Sequence, residues 1–173
     1  MMTATMRELR TFFGEALSTP ISAGLDPANC VRKPVQGERQ LGAFILPPFQ
    51  REAVWRESQK VALIESVFIG LPFGGYVVNH GSRLGGPASL WLLDGQQRWT
   101  ALTEFVEDGF AVRGRVWSEL DREDQFLFRN TVFPCHVVRY DDEAVLRDLY
   151  DRLAYGGTAH AEPEPESSTS MAP

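Results

Sequence analysis

Cysteine is scarce in this sequence. Cys30 and Cys135 are the only two in 173 residues. They lie far apart and lack metal-ligand spacing, so neither a disulfide framework nor a cysteine metal site is expected. Histidine occurs three times, scattered, which leaves no zinc pattern. Long apolar runs are missing too. The longest, Leu90 to Leu93 and Val67 to Ile69, are too short to span a membrane. Arg7 and Arg10 near the N-terminus are not followed by an apolar stretch of signal-peptide length, so a cytoplasmic location is expected. A basic excess is absent as well. The formal net charge is -6, the opposite of a protein that coats nucleic acid. Three of the acidic residues, Glu162, Glu164 and Glu166, fall in a terminal stretch without Lys or Arg. A local basic groove in the rest is still compatible with the composition.

What is present reads as one globular domain. Hydrophobic residues make up 43% and charged residues 23%. Residues 1–40 read as an N-terminal helix, Met6 to Leu17 with Leu9, Phe12, Phe13 and Leu17 on one face, and then an irregular connection from Ser18. Residues 41–161 read as the domain proper, and 162–173, rich in Pro, Glu and Ser, as a disordered tail. Short strands are expected over Leu41–Leu46, Gly74–Asn79, Ser89–Leu93, Phe110–Trp117 and Phe133–Arg139. Helices are expected from a Ser58 cap through Ile69, over Trp99–Val106, from Ser118 with Asp121 at its third position, and from Asp141 or Asp142 to about Ala154. The alternation predicts an α/β or α+β domain around one mixed sheet.

The most informative stretch is LWLLDGQQRWTAL, Leu90 to Leu102. An apolar strand stops at Asp94-Gly95 and a helical pattern follows. Asp94 and Gln97 have the spacing of a capping box, and Gly95 suits the tight turn. Arg98 is not explained by capping. A cation in the first helical turn faces the positive end of the macrodipole, which costs about 0.3–1 kcal/mol. The arrangement makes sense beside an anion, where first-turn N–H groups and a two-pronged guanidinium would meet a phosphate. Gln96 would then contact phosphate, ribose or base. Asp94 would serve by binding Mg²⁺ or accepting a proton, so capping and chemistry compete for it. Upstream, LPPFQREAVW places Gln50 and Arg51 after Pro47-Pro48 and before Trp55. As a surface turn it would pack Phe49 and Trp55 inward. As a site it would supply a second arginine and an aromatic for a base. His136, His80, Glu65, Trp91 and Trp99 read chiefly as structural or solvated residues.

PPFQREAVW, ALIESVFIGLPFGGYVV and LLDGQQRWTAL together resemble the blocks of the DGQQR-motif family. This is the N-terminal domain of GmrSD-type modification-dependent restriction enzymes and of the SspE phosphorothioate-sensing defence protein, within the ParB/sulfiredoxin-like superfamily. The resemblance spans about Leu41 to Glu164. It implies an α+β domain, a small mixed sheet flanked by helices, with a nucleotide pocket beside the DGQQR turn. It implies NTP as ligand or substrate with Mg²⁺ as helper. Arg51, Asp94 and Arg98 would be catalytic. Gln50, Trp55, Gly95, Gln96, Gln97 and His160 would join the arginines in binding nucleotide and phosphate. No protein-held metal is implied. Where the family's last helix ends in Asn, this sequence has Ala154, while Gly156, Gly157 and His160 match. There is no His-Asn-His pattern, so HNH-type cleavage is not expected of these residues acting alone. The implied partners are nucleotide, DNA, and a separate nuclease or modification protein. Three readings stay open: an NTPase or phosphotransferase linked to DNA modification, restriction or phage conflict; a DNA-binding or ParB-like nuclease module; and a non-catalytic nucleotide sensor.

Overall fold

The computed structural model describes residues 14–155. Six strands form one mixed sheet: β1 Gly14–Pro20, β2 Arg39–Leu41, β3 Phe44–Leu46, β4 Tyr76–Asn79, β5 Trp91–Asp94 and β6 Val132–Val138. Their order is β1-β6-β4-β5-β3-β2. The β1/β6, β4/β5 and β2/β3 pairs are antiparallel, and β4/β6 and β3/β5 are parallel. Five helices complete the described chain: α1 Ile21–Leu25, α2 Glu57–Ile69, α3 Gln96–Val106, α4 Arg122–Asn130 and α5 Glu143–Tyr155. This is the α+β architecture expected, a mixed sheet flanked by helices.

Alternation along the strands divides the core between the two sheet faces. Tyr76, Val78, Leu92, Phe133 and Val137 face α2, α3 and α4, whose Ile64, Val67, Trp99, Leu102, Phe105 and Phe128 pack there. Trp99 sits among Phe44, Tyr76 and Phe133 at centroid distances of 4.9–5.2 Å. The opposite face carries Ile45, Trp91, Leu93 and Val138 under α5, through Leu146 and Leu149. That helix covers only part of its face. On β6, Val138 is buried, but Pro134 and His136 on the same side are exposed.

Several expectations change. The helical pattern expected to reach Leu17 gives way to β1; Met6 to Phe13 lie outside the described residues, as does the tail. Leu17 pairs with Cys135 in an unbroken seven-residue ladder. Ladder pairing and the β-branched Thr19 before Pro20 outweigh the apolar spacing there. The connection expected to be irregular from Ser18 contributes the end of β1, α1 and the start of β2. Phe110–Trp117 is not a strand. Its one bridge, Val112 to Arg115, closes a two-residue turn with φ of 52° at Arg113 and 76° at Gly114. Phe110, Val112 and Trp117 still reach the core. The next helix starts at Arg122, after a 3₁₀ turn, and Asp121 is its cap, accepting from Asp124 N–H at 2.9 Å. At α2 the helix begins at Glu57 rather than after Ser58, and Gln59 accepts from Arg56 N–H. Asp142 caps α5, whereas Asp141 turns to the Ser82 backbone N–H.

Candidate functional site

β5 delivers the chain to α3 through Gly95, whose φ is 95°. Only glycine suits this position, because a Cβ would also meet Tyr76 Cβ at 2.6 Å. The left-handed turn moves the helix cap onto Gly95 and corrects the capping-box expectation. Asp94 does not cap α3. Its Oδ2 accepts instead from Arg98 Nη2 at 2.9 Å. Nor does Gln97 reach back to the cap. Its Oε1 accepts from Val54 N–H at 3.0 Å and Trp55 N–H at 3.1 Å, which ties the upstream block to the helix start.

The awkward position of Arg98 is therefore answered within the chain. Besides Asp94, Arg98 donates to Gly75 O at 2.7 Å, and its guanidinium lies beside Gly74. The Asp94 carboxylate offsets the clash of Arg98 with the helix dipole. Some bonding capacity is left over. Arg98 Nε is buried without an acceptor, and Asp94 Oδ1 accepts no hydrogen bond from the described residues. The first bond at the helix start runs from Trp99 N–H to Gly95 O at 2.9 Å, so the N–H groups of Gln96, Gln97 and Arg98 precede it.

These groups face a cavity of about 200 Å³ that also contains Gln50, Arg51, Trp55, Leu93, Tyr150 and Ala154. Gln50 is 8% exposed, and its Oε1 is buried with no donor. Gln96 is 6% exposed, and its amide makes no hydrogen bond to a described residue. The buried Gln50 oxygen is thus left unsatisfied at this cavity, and such a group costs about 1–3 kcal/mol. Arg51 is exposed, and its guanidinium bonds to no described residue. Arg39 braces this loop, donating to Gln50 O at 3.0 Å and pairing with Glu52 at 2.6 Å. Phe49 packs inward between Trp91 and Tyr150, with Arg147 over its ring.

Of the residues singled out in the sequence, Gln50, Arg51, Trp55 and Asp94 to Arg98 converge here. His160 lies outside the described residues. Glu65 is elsewhere, paired with Arg113 at 2.9 Å beside an apolar cavity of about 260 Å³ around Phe68 and Phe105. Trp99 is core, and Trp91 donates to Glu38. His80 is half-buried and its pKa is lowered, by burial first and by Arg139 next. Tyr150 and Arg39 carried no local signal; only the fold brings them to the site. Ala154 does line the cavity, so the site holds a methyl group where the resemblance implies Asn. Among the described residues no cluster of three or more His, Cys, Asp or Glu stands ready for a metal. Among the described residues Asp94 is the one carboxylate in the lining. Mg²⁺, which combines one or two carboxylates with substrate phosphates, fits this donor set through Oδ1.

Residues 31–159 match the family described as the GmrSD restriction endonuclease, N-terminal domain. The chain belongs to that family. This GmrSD-type domain is accordingly a restriction-enzyme-related module, and the match covers both the Gln50-Arg51 loop and the α3 start. No curated protein and no solved structure matches the chain. No helix among the described residues of this GmrSD-type domain is long and apolar enough to cross a membrane.

Proposed function

We propose that this domain binds a nucleoside triphosphate between the Gln50-Arg51 loop and the start of α3, and hydrolyses it or transfers its terminal phosphoryl group in the service of DNA restriction. The observation that carries the reading is the Gln50 side-chain oxygen, buried without a donor, in the same cavity as Gln96, Arg51, Arg98 and the free first-turn N–H groups. A bare phosphate would satisfy the cations and the N–H groups but, having only acceptors, would leave the Gln50 oxygen without a donor. A nucleobase offers adjacent donors and acceptors that an amide can pair with. Trp55 and Tyr150 supply aromatic surface beside it.

The chemistry follows from the leftover capacity. Arg51 and Arg98 neutralise charge on the transferred phosphoryl group. Asp94 Oδ1 orients the attacking water or hydroxyl, or shares Mg²⁺ with the phosphates; the bound ion would supply charge neutralisation between the phosphate oxygens. In hydrolysis, water oxygen bonds to the γ-phosphorus, the bridging bond to the β-phosphate breaks, and the proton leaves by way of Asp94 or solvent.

A second reading, nucleotide binding without turnover, is favoured by the Asp94–Arg98 pair itself, because each engages the other. Titration calorimetry with the four NTPs and Mg²⁺, together with phosphate-release assays, separates the two. Arg98→Ala is expected to weaken NTP binding at least about tenfold, the scale of a lost charged hydrogen bond, while circular dichroism stays native. Binding with no phosphate release supports the sensor. Absence of any NTP binding at millimolar concentration sinks both.

A further inference from the structure

The two edges of the sheet are finished differently. β2, at one end of the strand order, has three residues and begins with Arg39. β1, at the other end, is a seven-residue strand, GEALSTP, paired on its inner side to β6 without a bulge. Long, regular edge strands are commonly blunted by a bulge, a lysine or an inner proline. β1 has none of these; its one proline, Pro20, is the last residue. Ile21 N–H bonds to Thr131 O across the same pair at 3.0 Å. Counting back by twos, Thr19, Leu17 and Glu15 turn their backbone groups toward β6. Those of Ala16 and Ser18 point outward and meet no described residue.

We propose that the occupant of this edge is β1 of a second copy of the chain, antiparallel across a two-fold axis at Leu17. The strand is complementary to itself in that register. Ala16 and Ser18 come opposite the partner's Ser18 and the partner's Ala16, so the outward N–H and C=O groups find one another in bonded pairs. Leu17, 37% exposed, meets the partner's Leu17. Glu15, the strand's one charged residue, meets the partner's Thr19 rather than a second carboxylate. Gly14 meets the partner's Pro20, whose missing N–H falls at the end of the ladder. The same patch thus serves both copies, as a closed two-fold contact requires. An unrelated peptide strand would bond to the edge without any of this self-matching. Opposed residues share a sheet face, so the joined sheet carries both Asp94–Arg98 pairs on one side. Asp94 is three strand spacings from Ala16, through Val77 and His136. The two Asp94 carboxylates would then stand about 34 Å apart along the sheet. The pairing does not depend on what binds beside them.

The test is analytical ultracentrifugation of the full chain over the micromolar range, where so small a contact is expected to associate. The parent should pass from one chain to two as concentration rises. Leu17→Lys opposes like charges on the axis. Ala16→Pro removes an outward N–H, which an edge strand tolerates. Each variant is expected to weaken dimerisation at least about fivefold, the scale of the like-charge contact or hydrogen bonds involved. Circular dichroism and thermal melts confirm that both fold. Leu17→Glu alone should fail in the same way. An equimolar mixture of Leu17→Lys with Leu17→Glu should restore the dimer, a rescue that general damage to the strand would not give. A parent that stays a single chain leaves the edge to a foreign strand or to residues 1–13 and overturns the proposal. So does a dimer of parental strength in either folded variant, or a mixture that remains monomeric.

Discussion

Two buried polar side chains in this domain are treated in opposite ways. Glu38, 9% exposed, receives both terminal nitrogens of Arg32 at 2.6 Å, Val35 N–H at 2.8 Å and the Trp91 indole N–H at 2.5 Å. Gln50, 8% exposed, receives nothing at Oε1. Both sit just outside the same short hairpin, β2 and β3. The difference separates structure from readiness. A buried charge whose partners are all internal has no capacity left for a ligand, so Glu38 pins the Arg32 segment to β5. A buried neutral amide left open costs stability that a bound partner restores.

The comparison can be broken from the Glu38 side first. Glu38→Ala leaves Arg32, whose side chain is 11% exposed, without its counter-charge. Loss of about 3–5 kcal/mol is expected, as for other broken buried pairs, and urea unfolding measures it. Acid gives a graded version. Burial works to raise the Glu38 pKa, but the donors from Arg32, Val35 and Trp91 outweigh it and hold the carboxyl below its ordinary value. A carboxyl lowered in the folded state stabilises above its unfolded pKa, about 4.3, and that contribution is lost as pH falls through the folded value. Melting temperatures of wild type and Glu38→Gln should therefore differ most at neutral pH and converge in acid. A gap that persists at pH 2 would show that geometry rather than charge accounts for it. The smallest effect lies on the Gln50 side. Gln50→Leu should raise the stability of the ligand-free protein by about 1 kcal/mol while weakening NTP binding about three- to tenfold. Loss of stability in that variant would mean that Gln50 is structural after all.

The site was legible in the sequence as a set of residues, less so as a set of roles. Gln50, Arg51, Trp55 and the Asp94-to-Arg98 run do share one cavity. Asp94 and Gln97 nonetheless mimic a capping box only in spacing. What moves the cap is the close approach of Tyr76 to Gly95, a contact between strands that no local pattern records. From spacing alone, Arg98 calls for an external anion. Its carboxylate partner lies four residues away, and Gly75 O belongs to the loop just before β4. Long helices with clear periodicity, such as α2 and α5, were found to within a residue or two. The β1 strand was hidden because its ladder partner lies more than a hundred residues along the chain. The Phe110–Trp117 segment was hidden because a two-residue turn splits an apolar alternation that reads as one strand.

Gln97 has a mechanical consequence. One side-chain oxygen takes both the Val54 and the Trp55 N–H groups, across more than forty residues of sequence. The Arg51 loop and the first turn of α3 are thereby fastened as one body. A ligand that draws Arg51 inward pulls on that oxygen, and through it on the turn carrying Arg98. The two arginines, unconnected in sequence, would close on a ligand together.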